Sequence, residues 1–477
     1  MEKVDKKPMK KRWKILIIIG SIFAFLLVTF GALLIIFSTI RKTRKNNDPL
    51  HIDPSPTGLV FAKYRSLYDK DGNRLRLKGV NIGNALVTEG WLAPFSCGPL
   101  LDDKGNVVTD NDGNVQYPEL TQSEVDYAFE HNENLTAQQV DELKDIYLQN
   151  WFSEDDFIRV RDVLHMNSIR LPFTWSNILN YDESTETYTR KAEAEAFSYL
   201  DWFTANCYEK GLYLILDLHA APKSQNGYEH SGQIPEKKSD LLWFNEKEID
   251  ATCDLWAYIA EHYKDKEIGK AIATYDILNE PCSVDGSSLS GSRHTNGDCY
   301  PVFNKIYQAI RNTGDQHNIT IEGTWTYSNF ISPKKYGWEN IQYETHFYNW
   351  SASTYPYELY FDAMELTRVG HDYEVPFFIG EFTFFDDQDA WNKWLAYYDR
   401  LGYSWTFWTY KKTVVGWWDD SWGLYLNKLF LDNKTHQQKV NIATAGYEEI
   451  KTVFQNTNTE NCELSKIGNL IVEYLSK

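Results

Sequence analysis

Two glutamates in this chain of 477 residues stand where apolar runs end. Tyr275-Asp276-Ile277-Leu278 leads into Asn279-Glu280-Pro281, and Phe377-Phe378-Ile379-Gly380 leads into Glu381. Other polar or aromatic residues end similar runs. Asn81 and then Glu89 follow Leu77–Val80, Arg170 lies in Ser168-Ile169-Arg170-Leu171-Pro172, and His219 follows Leu216-Asp217-Leu218. His346 and Tyr348 come after Ile341–Thr345, and Trp408 after Trp405-Thr406-Phe407. Two carboxyl groups facing each other across a substrate can break a glycosidic bond: one protonates the leaving oxygen, the other attacks or stabilises the oxocarbenium carbon. In those roles Arg170 and His219 are expected to hold Glu381 ionised, and Tyr348 to donate to the same carboxylate. Asn279 is expected to bond a sugar hydroxyl, and Trp408 to stack under the sugar ring.

Such a set needs a frame that brings distant strand ends together. Short β-type runs are predicted near Leu77–Ile82, Ser168–Leu171, Leu212–Leu218, Ala273–Ile277, Ile319–Glu322, Ile341–Thr345, Pro376–Gly380 and Ser404–Trp408. Helical periodicity fills Glu154–His165, Ala192–Lys210, Lys247–Lys264 and Pro301–Thr313. Eight strands alternating with helices predict an α/β fold, a (β/α)8 barrel, whose functional residues gather at the C-terminal strand ends. The alternative is a doubly wound open sheet, which the lack of a Gly-rich loop after the first strand disfavours. More than 80 residues separate the first two strands, including an Asp/Asn/Gly-rich hairpin or loop over Asp102–Asn114. An insertion of that length is expected to overhang the barrel mouth.

Charge is divided unevenly. Residues 1–45 hold 11 Lys/Arg against Glu2 and Asp5, and the rest of the chain carries a net charge of −28. So acidic a body repels phosphate backbones, which argues against nucleic acid as a partner. Ile15–Ile40 is a run of 26 residues without a charge. It is longer than a signal-peptide core and ends without a small-x-small site, which favours an uncleaved membrane anchor over a cleaved signal. Seven Lys/Arg precede it and four follow, so the expected topology is single-pass type II at the cell membrane, with the catalytic domain extracellular. The expected organisation is a cytoplasmic tail over residues 1–14, a transmembrane anchor over 15–40, a linker over 41–60 and the barrel over 61–477. No obligate protein partner is evident. Late aromatics (Trp405, Trp408, Tyr410, Trp417, Trp418, Trp422, Tyr425) suit either sugar stacking or a packed core.

Arg170, His219, Asn279, Glu280, His346, Tyr348, Glu381 and Trp408 resemble, in type and order, the active-site set of glycoside hydrolase family 5. That resemblance implies a retaining β-glycosidase with Glu280 as acid/base and Glu381 as nucleophile, and it implies no cofactor or metal. Lys78-Gly79-Val80-Asn81-Ile82-Gly83 with Leu86-Val87-Thr88-Glu89 is similar to the first strand of exo-β-1,3-glucanases and their glucose-binding glutamate. Asp217 through Tyr228 resembles their third-strand loop, which implies substrate contacts from Asn226 and an entrance aromatic at Tyr228. Glu229-His230 departs from their usual Asp-Asn, and only 24 residues join Glu381 to Trp405, far fewer than in those glucanases. The expected substrate is therefore a β-glucan or another β-glucoside. A non-catalytic glucan-binding protein and a transglycosylase are the alternatives.

Overall fold

In the computed structural model, the described residues are 11–109, 113, 115–282, 299–323, 330–350, 356–370, 373–413, 422–427 and 439–477. Eight parallel strands close into a barrel in chain order. They are β1 (Lys78–Asn81), β2 (Ser168–Thr174), β3 (Tyr213–Ala220), β4 (Ile272–Asp276), β5 (Asn318–Glu322), β6 (Ile341–Tyr348), β7 (Phe377–Thr383) and β8 (Ser404–Phe407). The ring shuts where Trp405, Thr406 and Phe407 of β8 pair with Lys78, Gly79 and Val80 of β1. These strands are apolar runs because both faces are covered: every residue of β2, β4, β5, β7 and β8 is buried. Gly79 allows β1 to pack closely on β2, since a Cβ there would overlap the backbone of Ser168.

The four predicted helical stretches are present as Glu154–Ile158 continuing in a π turn to Val163, Glu193–Ala196 with Ser198–Lys210, Glu246–Tyr263, and Cys299–Asn312. Gly211 closes the second at φ 70°, a left-handed cap that glycine adopts without cost. Helices not predicted include Gln388–Leu401, between β7 and β8, Gln122–Glu130 and Ala137–Trp151 in the insertion, and Tyr357–Gly370, Tyr447–Gln455 and Lys466–Leu475. The two insertion helices start at capping boxes, Thr121 with Glu124 and Thr136 with Gln139. In Asp102–Asn114 the isolated pairings Leu101–Val107 and Thr109–Val115 are antiparallel.

The insertion packs on the end of the chain. Phe95, Val125, Phe129, Leu143, Tyr147 and Trp151 share one apolar cluster with Val440, Ile442, Ile450 and Phe454. Buried Lys411 donates through Nζ to the carbonyls of Asn150 (3.2 Å), Trp151 (2.7 Å) and Thr457 (2.8 Å). A cation there complements the C-terminal end of helix Ala137–Trp151.

The described residues among 1–45 and 349–372 form a separate compact unit. Within it, Ile19–Thr43 is helical, has a mean hydropathy of 2.6 and is long and apolar enough to cross a membrane. Its basic end meets helix Tyr357–Gly370: Arg41 pairs with Asp362, and Arg44 with Glu365 at 3.4 Å.

Candidate active site

Two barrel strands carry a one-residue bulge at the site. On β7 the pairing with β6 skips Gly380, and on β3 the pairing with β2 skips His219. A bulge re-aims the side chains around it. Gly380 has no alternative, because a Cβ there would overlap Oε1 of Glu344. Glu280, just past β4, has φ 43°, in the left-handed region that a non-glycine residue enters at a cost of about 1–3 kcal/mol.

Glu381 accepts hydrogen bonds at both oxygens, from Arg170 Nη1 (3.1 Å) to Oε1 and from the Tyr348 hydroxyl (2.7 Å) to Oε2. His219 was expected beside this carboxylate; instead its Nδ1 meets Asp217 at 2.7 Å and its Nε2 lies 3.7 Å from Glu89. The imidazole next to Glu381 is that of His346, with Nδ1 3.3 Å from Oε2. Asn279, expected to face sugar, has Oδ1 turned to Arg170 Nη2 (2.9 Å) and Nδ2 near His219 (3.4 Å).

Glu280 is flanked by two imidazoles. His346 Nδ1 is 2.7 Å from Oε1, and His230 Nε2 is 3.2 Å from Oε2. Burial raises this carboxyl's pKa, but the two histidines outweigh it and hold the group well below the usual range. His346 moves the other way: burial opposes its charge, and the surrounding glutamates raise it far above an ordinary imidazole. An oxygen of Glu280, an oxygen of Glu381 and a nitrogen of His346 all lie within 4.8 Å of one another. Carboxyl groups of a retaining glycosidase stand about 5–5.5 Å apart, against about 6.5–9.5 Å in an inverting one.

Beneath this pair lies a buried charge cluster. Arg170, fully buried, is within 3.5 Å of Asp217, Asp276, Glu344 and Glu381. One guanidinium does not neutralise four carboxylates, and the imidazoles of His219, beside Asp217, and His346, beside Glu344 and Glu381, share in balancing them. Asp276 Oδ1 and Glu344 Oε2 each lack a hydrogen-bond partner among fixed donors. Burial and the neighbouring carboxyl charge raise both groups, so each favours its protonated form. Burial and the Asp276 charge push Glu344 up to about 7. An unfolded glutamate titrates near about 4.3. Glu344 thus contributes stability that is complete below about pH 4.3 and is lost as pH rises through about 7. Glu344→Gln stays neutral throughout. Its melting temperature is expected to gain on the wild type as pH rises across that window, and parallel melting curves from acid to neutral pH would refute the assignment.

The remaining predicted residues join the same network. Glu89 accepts from Trp91 Nε1 (2.6 Å). Asn226 is fully buried and donates to the Glu280 carbonyl (3.2 Å). The Tyr228 ring stacks on His230 at 5.6 Å. Trp408 stacks on His219 at 5.4 Å and packs with Leu92 and Trp422. Trp405, Tyr410 and Tyr425 are core residues, and Trp417 and Trp418 lie outside the described residues. All eleven candidates are thus linked at one end of the barrel. Sequence reasoning missed His230 as a contact of Glu280, and missed Asp276, Glu322 and Glu344 altogether.

Comparison with known proteins agrees with this geometry. The model of the family described as Cellulase (glycosyl hydrolase family 5) matches residues 129–413. A β-xylosidase of Phanerodontia chrysosporium is 26% identical over 285 residues, 59% of this chain and 50% of that protein. A probable glucan 1,3-beta-glucosidase A of Aspergillus fumigatus is 26% identical over 276 residues, 57% of this chain and 55% of that protein. The chain thus spans about half the length of these curated relatives. The crystal structure of rutinosidase from Aspergillus niger aligns with a TM-score of 0.51 at 14% identity, covering 76% of this chain and 98% of that one, a likeness of fold. With the family model covering more than half of its length, the chain belongs to glycosyl hydrolase family 5.

Proposed function

We propose that this chain is a membrane-anchored retaining β-glycosidase of β-glucans or β-glucosides, with Glu381 as nucleophile and Glu280 as acid/base. The observation that carries the reading is the approach of one oxygen of Glu280 to one oxygen of Glu381 within 4.8 Å, which favours the close carboxyl pair of a retaining enzyme over the wider pair of an inverting one. In the first step Glu381 attacks the anomeric carbon while Glu280 protonates the departing oxygen. In the second, Glu280 takes a proton from water, whose oxygen displaces Glu381 with net retention. Arg170 and Tyr348 orient the nucleophile. Glu89, Tyr228 and Trp408 bind the sugar and its aglycone, while Asn226 holds the loop around His230 and Glu280. The names of the relatives, glucan 1,3-beta-glucosidase among them, favour a glucose unit in the bond that is cleaved.

The proposed organisation keeps residues 1–14 in the cytoplasm, 15–40 in the membrane and 41–60 as linker to an extracellular barrel. The pairing of Arg41 and Arg44 with Asp362 and Glu365 supports an anchor that stays attached, since cleavage would leave both acids without these partners. N-terminal sequencing of the membrane fraction distinguishes this from a removed signal.

The full chain in detergent, incubated with β-1,3-, β-1,4- and β-1,6-glucans, β-mannan and glucosylceramide, is expected to release sugar whose first anomer is β. Release of the α anomer would exclude double displacement. No release from any of these would favour a binding protein.

A further inference from the structure

The loop after β3 brings a second histidine to the proposed acid/base, and a buried amide governs it. His230 Nε2 lies 3.2 Å from Glu280 Oε2 and 2.9 Å from Asn226 Nδ2. The Asn226 amide has one orientation available. Its Oδ1 accepts from the Tyr228 N–H (2.9 Å), and its Nδ2 donates to the Glu280 carbonyl (3.2 Å). A donor therefore faces the ring nitrogen. When Nε2 carries a proton, it points that proton at Glu280 and meets the Asn226 N–H. When it does not, it accepts from Asn226 while the proton sits on Glu280. Stacking on Tyr228 fixes the ring plane.

We propose that His230 is a positioning residue that shares one proton with Glu280 across this contact, holding the acid in reserve where the carboxyl alone would have lost it. The inference rests on the assignment of Glu280 as acid/base. In glycosylation the shared proton passes from Glu280 to the leaving oxygen, which also takes the electron pair of the broken C1–O bond as Glu381 bonds to C1. In deglycosylation water gives one proton to Glu280, its oxygen bonds to C1, and the C1–Glu381 bond breaks with its electron pair returning to the carboxylate. The Glu280–His230 pair then holds its proton again.

The groups facing His230 are Glu280, Glu89, Glu119 and His219, with Glu229 and Tyr228 adjacent in its own loop. Glu280 in turn faces His346, Glu322 and Glu381. Burial disfavours the His230 cation, but Glu280 and Glu89 outweigh burial and the His219 charge, and raise it above an ordinary imidazole. The last proton of the pair thus leaves above about pH 6.5, the ordinary histidine value.

The test uses the full chain in detergent and two β-glucosides, one with an alkyl and one with a dinitrophenyl aglycone. His230→Asn is expected to move the basic limb of kcat/KM for the alkyl glucoside down by about one pH unit, a loss of about tenfold near pH 8 and little near pH 5. The dinitrophenyl glucoside needs no acid and should change by less than about twofold. His230→Gln, which keeps a hydrogen bond but no shared proton, should behave alike. Superimposable limbs, equal losses on both substrates, or a wild-type profile from the glutamine variant would each overturn the proposal. NMR of histidine-labelled protein supplies a readout without turnover. The signal missing from His230→Asn should titrate above about 6.5, and fall in Glu280→Gln. That coupling without glucosidase activity would refute the assigned reaction and keep the proton-sharing pair. Activity without the coupling would do the reverse.

Discussion

Glu381→Gln is expected to lower turnover by about 10⁴-fold or more on every substrate, with the fold intact. The amide can still accept from Arg170 Nη1 and can donate to the Tyr348 hydroxyl, so both neighbours at 3.1 and 2.7 Å keep a partner. What is lost is the electron pair that bonds to C1. Glu344 is fully buried and does not replace it, and Glu280 is committed to the leaving oxygen in the proposed reaction. A good leaving group gives no relief, since the missing group is the nucleophile and not the acid. Steady-state rates on the dinitrophenyl and alkyl glucosides, beside an unchanged melting temperature, check the prediction. Rates near wild type would remove Glu381 from the mechanism.

Glu280→Gln should behave differently. Glycosylation of an alkyl glucoside should fall by about 10²–10⁴-fold, the usual contribution of general acid catalysis, while the dinitrophenyl glucoside is largely spared in that step. Deglycosylation loses its base on either substrate. The covalent intermediate then accumulates, so kcat and KM drop together for the dinitrophenyl glucoside. Glu280→Ala leaves room for azide, which attacks without a base and should restore turnover as the β-glucosyl azide. Equal losses on both aglycones, or rescue giving the α-azide, would contradict the assignment of Glu280.

The barrel was legible because its strands are buried on both faces and so appear as unbroken apolar runs. Their ends were less so. The predicted sixth strand stops at Thr345, whereas β6 continues through His346 to Tyr348. Inside a barrel mouth a polar side chain stays in the sheet, so polarity does not mark the strand's end. The buried acids lie inside the strands rather than at their ends. Asp217 and Glu344 precede His219 and His346 by two residues, and the period of a strand puts each pair on one face. His230 escaped notice because it lies in a 3-10 turn rather than at a strand end. The insertion helices carried their signals openly in Thr121-Gln122-Ser123-Glu124 and Thr136-Ala137-Gln138-Gln139. Helix Tyr357–Gly370 had no such signal and its neighbour, helix Lys11–Thr43, lies more than 300 residues earlier in the chain.

The shared cluster of insertion and chain end sets an order of events during synthesis. Phe95 to Trp151 leave the ribosome 289 or more residues ahead of Val440, their partner in that cluster. At about 5–20 residues per second this is a wait of roughly 15–60 seconds. Throughout it, Phe129, Leu143, Tyr147 and Trp151 lack the apolar residues that cover them in the finished protein. All eight barrel strands can form in that interval, yet the segment between β1 and β2 stays uncovered until Val440 to Phe454 arrive. A nascent chain stalled just after β8 would thus expose a sticky aromatic surface to chaperones and proteases, although every proposed catalytic residue had already been made.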